Sequence, residues 1–172
     1  QQTQDSIHAL QLIRAYRARG HQIANLDPLK LQAPELHPEL DPKTHGFDES
    51  DMDREIYLGG VMGMESATSR QMIDSLKATY CATIGVEFTH IQDPDQKYWL
   101  QKRIEGDRNH TDFSESGKKL ILERMTEAEG FEKFLGTKYT GTKRFGLDGG
   151  ESSIPAIEQI IKVGGKLGVE QI

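Results

Sequence analysis

The residues best suited to chemistry lie between positions 137 and 153. Lys138, Lys143 and Arg144 stand there beside Thr137, Thr140 and Thr142, so cationic heads and hydroxyl donors could converge on an anionic ligand. The following stretch, Phe145 to Glu151 (FGLDGGE), is rich in glycine, which permits backbone turns closed to other residues. A helix opening near Ser153 would present free amides to the same anion. A loop with ordinary surface charges fits the same spacing, and the residues alone leave both readings open. Neither the Gly-rich Lys-Ser phosphate loop nor the dinucleotide fingerprint occurs in the sequence.

Other constellations point away from catalysis. The six histidines, His8, His21, His37, His45, His90 and His110, include no pair at the spacing that places two ligands on one helical face. Glu87 and His90 stand three apart on a stretch that reads as a strand, where they would point to opposite faces, so His90 is read as structural. Glu49, Asp51, Asp53 and Glu55 lack the glycine turn and terminal glutamate of a calcium loop and read as solvated surface. The single cysteine, Cys81, excludes an intramolecular disulfide and a thiolate zinc site, and points to a reducing compartment. A net charge of −6 argues against a nucleic-acid or anionic-membrane surface. No apolar run approaches the ~20 residues that span a bilayer, and no basic segment precedes a hydrophobic one at the amino terminus, so the chain reads as soluble and unsecreted.

The elements that must position these residues are mainly helices. With 35% hydrophobic and 7% aromatic residues among 172, the core should be sparse. Ala9, Leu12, Ile13 and Tyr16 form an apolar stripe on a helix over 5–19, stopped at Gly20. Residues 21–55 form an irregular excursion, because Pro28, Pro34, Pro38 and Pro42 remove backbone donors; its leucines, Leu26, Leu29, Leu31, Leu36 and Leu40, should lie against apolar surface. A helix over 69–80 opens with the capping box Thr68 and Gln71 and buries Met72, Ile73, Leu76 and Tyr80. The β-branched stretch 84–91 reads as a short strand. Asp93, Pro94 and Gln96 open a helix reaching 105, before Gly106. Leu120, Ile121 and Met125 mark another, and Thr126 with Glu129 caps one carrying Phe131, Phe134 and Leu135, the two either separate or continuous. Residues 136–150 read as loop. A last helix has Pro155 in its first turn, turns Ile157, Ile160 and Ile161 inward, and stops at Gly164 and Gly165.

Four blocks carry a family resemblance: Arg17 to Leu29 (RARGHQIANLDPL), Ile84 to Pro94 (IGVEFTHIQDP), Thr126 to Leu135 (TEAEGFEKFL) and Lys143 to Ser152 (KRFGLDGGES). In this order they resemble the thiamine-diphosphate-dependent first component of 2-oxoglutarate dehydrogenase. The resemblance implies a homodimer that binds thiamine diphosphate and magnesium. It would decarboxylate 2-oxoglutarate and pass the succinyl group to a lipoyl arm in the tricarboxylic acid cycle. Dihydrolipoyl succinyltransferase and dihydrolipoamide dehydrogenase would be its partners, in the bacterial cytoplasm or the mitochondrial matrix.

The same resemblance implies a mainly α amino-terminal region over 1–136, including the excursion 21–55, and entry over 137–172 into an α/β thiamine-diphosphate-binding fold largely absent from this chain. The family's His-Arg-Gly-Arg string and its Gly-Asp and Asn magnesium motif have no counterpart here, so no catalytic, cofactor-binding or metal residue is carried over. Both ends read as cut: Gln1 stands where Met would, and residues 168–172 are apolar and uncapped. Lys143, Arg144 and Glu151 remain as residues that would support the active site of the parent, or only dock the helical region onto it. The fragment itself is expected to be inactive. A non-catalytic helical interaction module, a relative acting on 2-oxoadipate, and a decarboxylase releasing the semialdehyde remain as alternatives.

Overall fold

A computed structural model describes residues 2–31 and 33–171, and the chain is mainly α as expected. In order it forms α1 (Gln2–Arg19), β1 (Glu55–Tyr57), β2 (Ser66–Thr68), α2 (Ser69–Tyr80), α3 (Pro94–Gly106), α4 (Glu115–Lys138) and α5 (Ser153–Lys166), with short 3-10 turns in the connection from α1 to β1. Two compact units result, Gln1–Thr111 and Asp112–Ile172.

The first unit holds the core. Ala9, Leu12, Ile13 and Tyr16 of α1 are buried, as the stripe implied, and meet Met72, Ile73, Leu76 and Tyr80 of α2. Leu40, Phe47, Ile56, Leu58, Ala67 and Phe88 complete it. Helix α2 begins where the capping box placed it: the Thr68 hydroxyl accepts from the Gln71 amide at 3.2 Å, and the Gln71 side chain accepts from the Thr68 amide at 3.0 Å. Asp93 caps α3 by accepting from the amides of Asp95 and Gln96. At Gly20 a Cβ would lie 2.6 Å from Tyr80 Cβ, so glycine is what lets α1 run into its final turn against α2. A polar network ties α3 to both helices. Arg17 grips Glu105 in a two-pronged bond of 2.7 and 3.0 Å, and the Tyr80 hydroxyl donates to the same carboxylate at 2.7 Å.

The excursion is irregular, as proline required, yet its second half is tied down. His37, Asp41 and Asp48 each accept from an amide two residues on, opening 3-10 turns at Pro38–Leu40, Pro42–His45 and Glu49–Asp51. These turns carry Leu40 and Phe47 into the core, and the Tyr16 hydroxyl donates to the Leu40 carbonyl at 3.2 Å. In the first half Leu26, Leu29, Leu31 and Leu36 are exposed, and Asp27 accepts from the amides of Leu29 and Leu31.

The strand expected over 84–91 is not formed. That stretch finds no partner strand, and alternation without a partner does not make a sheet. The sheet is instead an antiparallel pair, Glu55↔Thr68, Ile56↔Ala67 and Tyr57↔Ser66, which is too short to show periodicity. It closes over a turn in which Gly59, Gly60 and Gly63 all have positive φ.

In the second unit, α4 is one continuous helix capped by Ser114, whose hydroxyl accepts from Gly117 at 3.1 Å. Thr126 does not cap; its hydroxyl donates to the Leu122 carbonyl one turn back at 2.8 Å. Helix α5 passes through Gly164 and Gly165, since glycine inside a helix costs only about 1 kcal/mol. It ends at Gly168, φ +84, with the Val169 amide donating to the Gly164 carbonyl at 2.9 Å. Ile157, Ile160 and Ile161 are more than half exposed instead of facing inward, and among the described residues neither α4 nor α5 has a buried one. This unit therefore supplies no core of its own.

Candidate functional site

The residues singled out in the sequence gather where the end of α4 meets the connection to α5. Arg144 lies against α4, its guanidinium donating to the Glu132 carbonyl at 3.4 Å. It can do so because position 136 is glycine: a Cβ there would lie 2.8 Å from Arg144 Nη1. Glu132 in turn anchors the following turn, one carboxylate oxygen accepting from the Leu147 amide at 2.7 Å. The Gly150 amide donates to the Leu147 carbonyl, Gly149 has φ +81, and Glu151 accepts from the Gly149 amide at 3.3 Å. The motif KRFGLDGGE is thus a self-fastened turn.

Around it lies a cleft of about 530 Å³ lined by Glu129, Glu132, Asp148 and Glu151 with Lys133 and Arg144. Arg144 and Glu151 therefore share one site, whereas Lys143 is exposed and does not line it. Carboxylates outnumber cations, and Lys133 is already paired with Glu129 at 2.7 Å. Several of the donors weighed for an anion are also engaged. The hydroxyls of Thr137 and Thr140 donate to the carbonyls of Lys133 and Thr137. The amides of Ser153 and Ile154 donate to Gly150 and Glu151. Oxygens of Glu132, Asp148 and Glu151 lie within 4.8 Å of one another, the one such group among the described residues, though exposed acidic trios of this kind are ordinary surface.

This donor set does not fit thiamine diphosphate. A diphosphate needs cations in excess, and the cleft offers it four carboxylates against two cations, one of them, Lys133, already paired. No step of cofactor chemistry is placed on these residues.

Sequence reasoning missed several contacts elsewhere. The acidic stretch 49–55 is more than solvated surface: Arg54 bridges Asp51 and Asp5 at 2.8 and 3.1 Å, and Arg70 reaches Asp53 and Glu49 at 3.3 and 3.6 Å. Glu87 finds its histidine not at the exposed His90 but at His21, 3.7 Å away. The Arg17, Glu105 and Tyr80 network spans 88 positions in sequence and left no local signal. It also suppresses phenol ionisation, since burial and then the Glu105 carboxylate raise the Tyr80 pKa well above its ordinary value.

Fold and site together define a mainly helical chain with one packed unit and one in which no described helix residue is buried. No protein-family model matches the chain. Over its whole length it is 56% identical to the 2-oxoglutarate dehydrogenase E1 component of Brucella anthropi and 54% identical to those of Brucella canis and Brucella suis. The chain spans 17% of the length of each of these relatives. It belongs to the 2-oxoglutarate dehydrogenase E1 component family.

Proposed function

We propose that this chain is the helical part of an enzyme that decarboxylates 2-oxoglutarate with thiamine diphosphate and magnesium and transfers the succinyl group to a lipoyl arm. The observation that carries the reading is 56% identity along the entire chain, with no stretch left unmatched. On this reading residues 1–136 form the helical region and 137–172 enter the cofactor-binding domain. The partners are a dihydrolipoyl succinyltransferase and dihydrolipoamide dehydrogenase, the whole protein is a homodimer, and it works in the bacterial cytoplasm. No helix among the described residues is long and apolar enough to cross a membrane.

Within that enzyme the role of these residues is support. Arg144 and Glu151 hold the turn that follows α4, and so set where the chain goes next. The uncovered isoleucines of α5 favour docking onto the remainder of the enzyme over an independent interaction module.

The test is to assay the whole protein for carbon dioxide release and lipoyl succinylation with 2-oxoglutarate and with 2-oxoadipate. A higher kcat/KM for 2-oxoglutarate is expected. Equal or better use of 2-oxoadipate would move the protein to the related activity, and semialdehyde release without lipoyl transfer would make it a simple decarboxylase. Arg144→Ala in the same protein separates two roles: unchanged turnover and KM would sink active-site support and leave docking.

A further inference from the structure

We propose that the cleft between α1, α3 and the glycine-rich turn 58–65 binds a phosphorylated small molecule, at a site separate from any decarboxylation chemistry. The cleft encloses about 760 Å³, within the roughly 300–1,000 Å³ range of small-molecule sites. Arg17, Lys102 and Arg108 all line it, and the one carboxylate among its walls is Glu105.

That carboxylate is already saturated. It accepts both prongs of Arg17 and the Tyr80 hydroxyl, so it has little capacity left to neutralise the other two cations. Among the described residues, neither Lys102 nor Arg108 is ion-paired with a carboxylate, whereas Arg54, Arg70, Arg124, Lys133 and Lys162 all are. In a chain whose net charge is −6, two unneutralised cations over a concave wall create a local positive field.

The surrounding geometry suits a multiply charged anion carrying an organic group. Arg108 sits just beyond α3 with φ +55, a left-handed conformation that non-glycine residues seldom adopt. The turn is fixed by the Asn109 amide donating to the Ile104 carbonyl at 2.7 Å, and with it Arg108 lines the cleft. Opposite, Gly59, Gly60 and Gly63 present bare backbone, and a Cβ at Gly63 would meet nothing within 4 Å, so the wall there is open to a ligand. The Tyr98 ring, over which Lys102 Nζ lies 5.2 Å from the centroid, offers an apolar face beside the charge. Two unpaired cations, Lys102 and Arg108, match a phosphate better than a single carboxylate, because a phosphate brings more charge and more acceptor oxygens.

The test uses the whole protein and inorganic pyrophosphate as probe, at constant ionic strength, and follows acylation of individual lysines by mass spectrometry after a pulse of an amine-reactive ester. With a dissociation constant of about 1 mM, about 5 mM pyrophosphate should slow Lys102 acylation about sixfold. The exposed Lys43 and Lys77 should react at unchanged rates. Arg108→Gln should remove most of the protection, and Arg108→Lys should retain it. Equal slowing of all three lysines, protection undiminished in the Arg108→Gln variant, or a Lys102 unreactive before pyrophosphate is added would each overturn the proposal. The last result would mean that another part of the protein fills the cleft. The readout does not depend on decarboxylase activity, so the two proposals fail separately.

Discussion

Replacing Gly20 with Ala adds one methyl group where the 3-10 turn after α1 meets the last residue of α2. The added carbon would sit 2.6 Å from Tyr80 Cβ. Carbon atoms in good contact lie about 3.5–4.0 Å apart, so the two helices must separate by about 1 Å. Tyr80 cannot swing aside, since the clashing atom is joined to its backbone and its ring is fully buried, with the hydroxyl bonded to Glu105 at 2.7 Å. Overpacking of this kind costs roughly 1–3 kcal/mol. The loss of glycine's freedom in the unfolded chain offsets about 0.4–1 kcal/mol of it. A net destabilisation of about 1–2 kcal/mol follows, and with a urea m-value of about 2 kcal/mol/M the midpoint should fall by about 0.5–1 M. Gly106→Ala is the control, because nothing lies within 4 Å of a Cβ there, and its midpoint should hold or rise. A Gly20→Ala midpoint equal to or above that of the parent chain would refute the close approach of α1 and α2.

Alkaline pH should unfold the chain cooperatively. Burial pushes Tyr16 up to about 12 and Cys81 up to about 11, and Tyr80 is raised as well. A folded state that holds its protons more tightly than the unfolded state loses stability as pH rises from the unfolded values, near 9 for the thiol and 10 for the phenols, towards the folded ones. Ultraviolet titration should show Tyr16 and Tyr80 ionising only with unfolding, and normal, reversible titration of all five tyrosines in a folded chain would contradict this. Cys81 should react with iodoacetamide at pH 8 more slowly than a free thiol, and equal rates would count against the raised pKa of this half-buried thiol. Thr68→Ala removes half of the α2 capping box and should cost about 1 kcal/mol in thermal or urea unfolding, with no change expected if the cap is frayed in solution. Amide exchange should divide the excursion, fast over 26–36 and slower over 40–47; uniform exchange would contradict the burial of Leu40 and Phe47.

Local signals in the sequence located the helices well. The Thr68 and Gln71 box and the Asp93 cap state where a backbone must turn, and both helices begin there. The stripe on α1 states which face is buried, because burial follows a 3.6-residue period whatever lies opposite. Non-local facts were not legible. The exposed isoleucines of α5 and the exposed leucines Leu26, Leu29, Leu31 and Leu36 carry the composition of buried residues, and composition does not state which apolar residues find a partner surface. Thr126 with Glu129 has the letters of a capping box inside a helix that simply continues. At the site, the motif containing Arg144 and Glu151 was visible as a motif, whereas Glu132, which fastens it, was not. Its role depends on one turn of α4 meeting the loop. The cations of the α1 and α3 cleft were hidden for the same reason, since Arg17 and Arg108 are brought together only by the fold.

This chain belongs to the 2-oxoglutarate dehydrogenase E1 component family, and we propose that none of its own residues hold the cofactor. Calorimetric titration of the 172-residue chain with thiamine diphosphate and magnesium tests it most directly. The expected result is no saturable heat up to millimolar cofactor and no 2-oxoglutarate decarboxylation. Micromolar binding would contradict it and place a cofactor site within these residues.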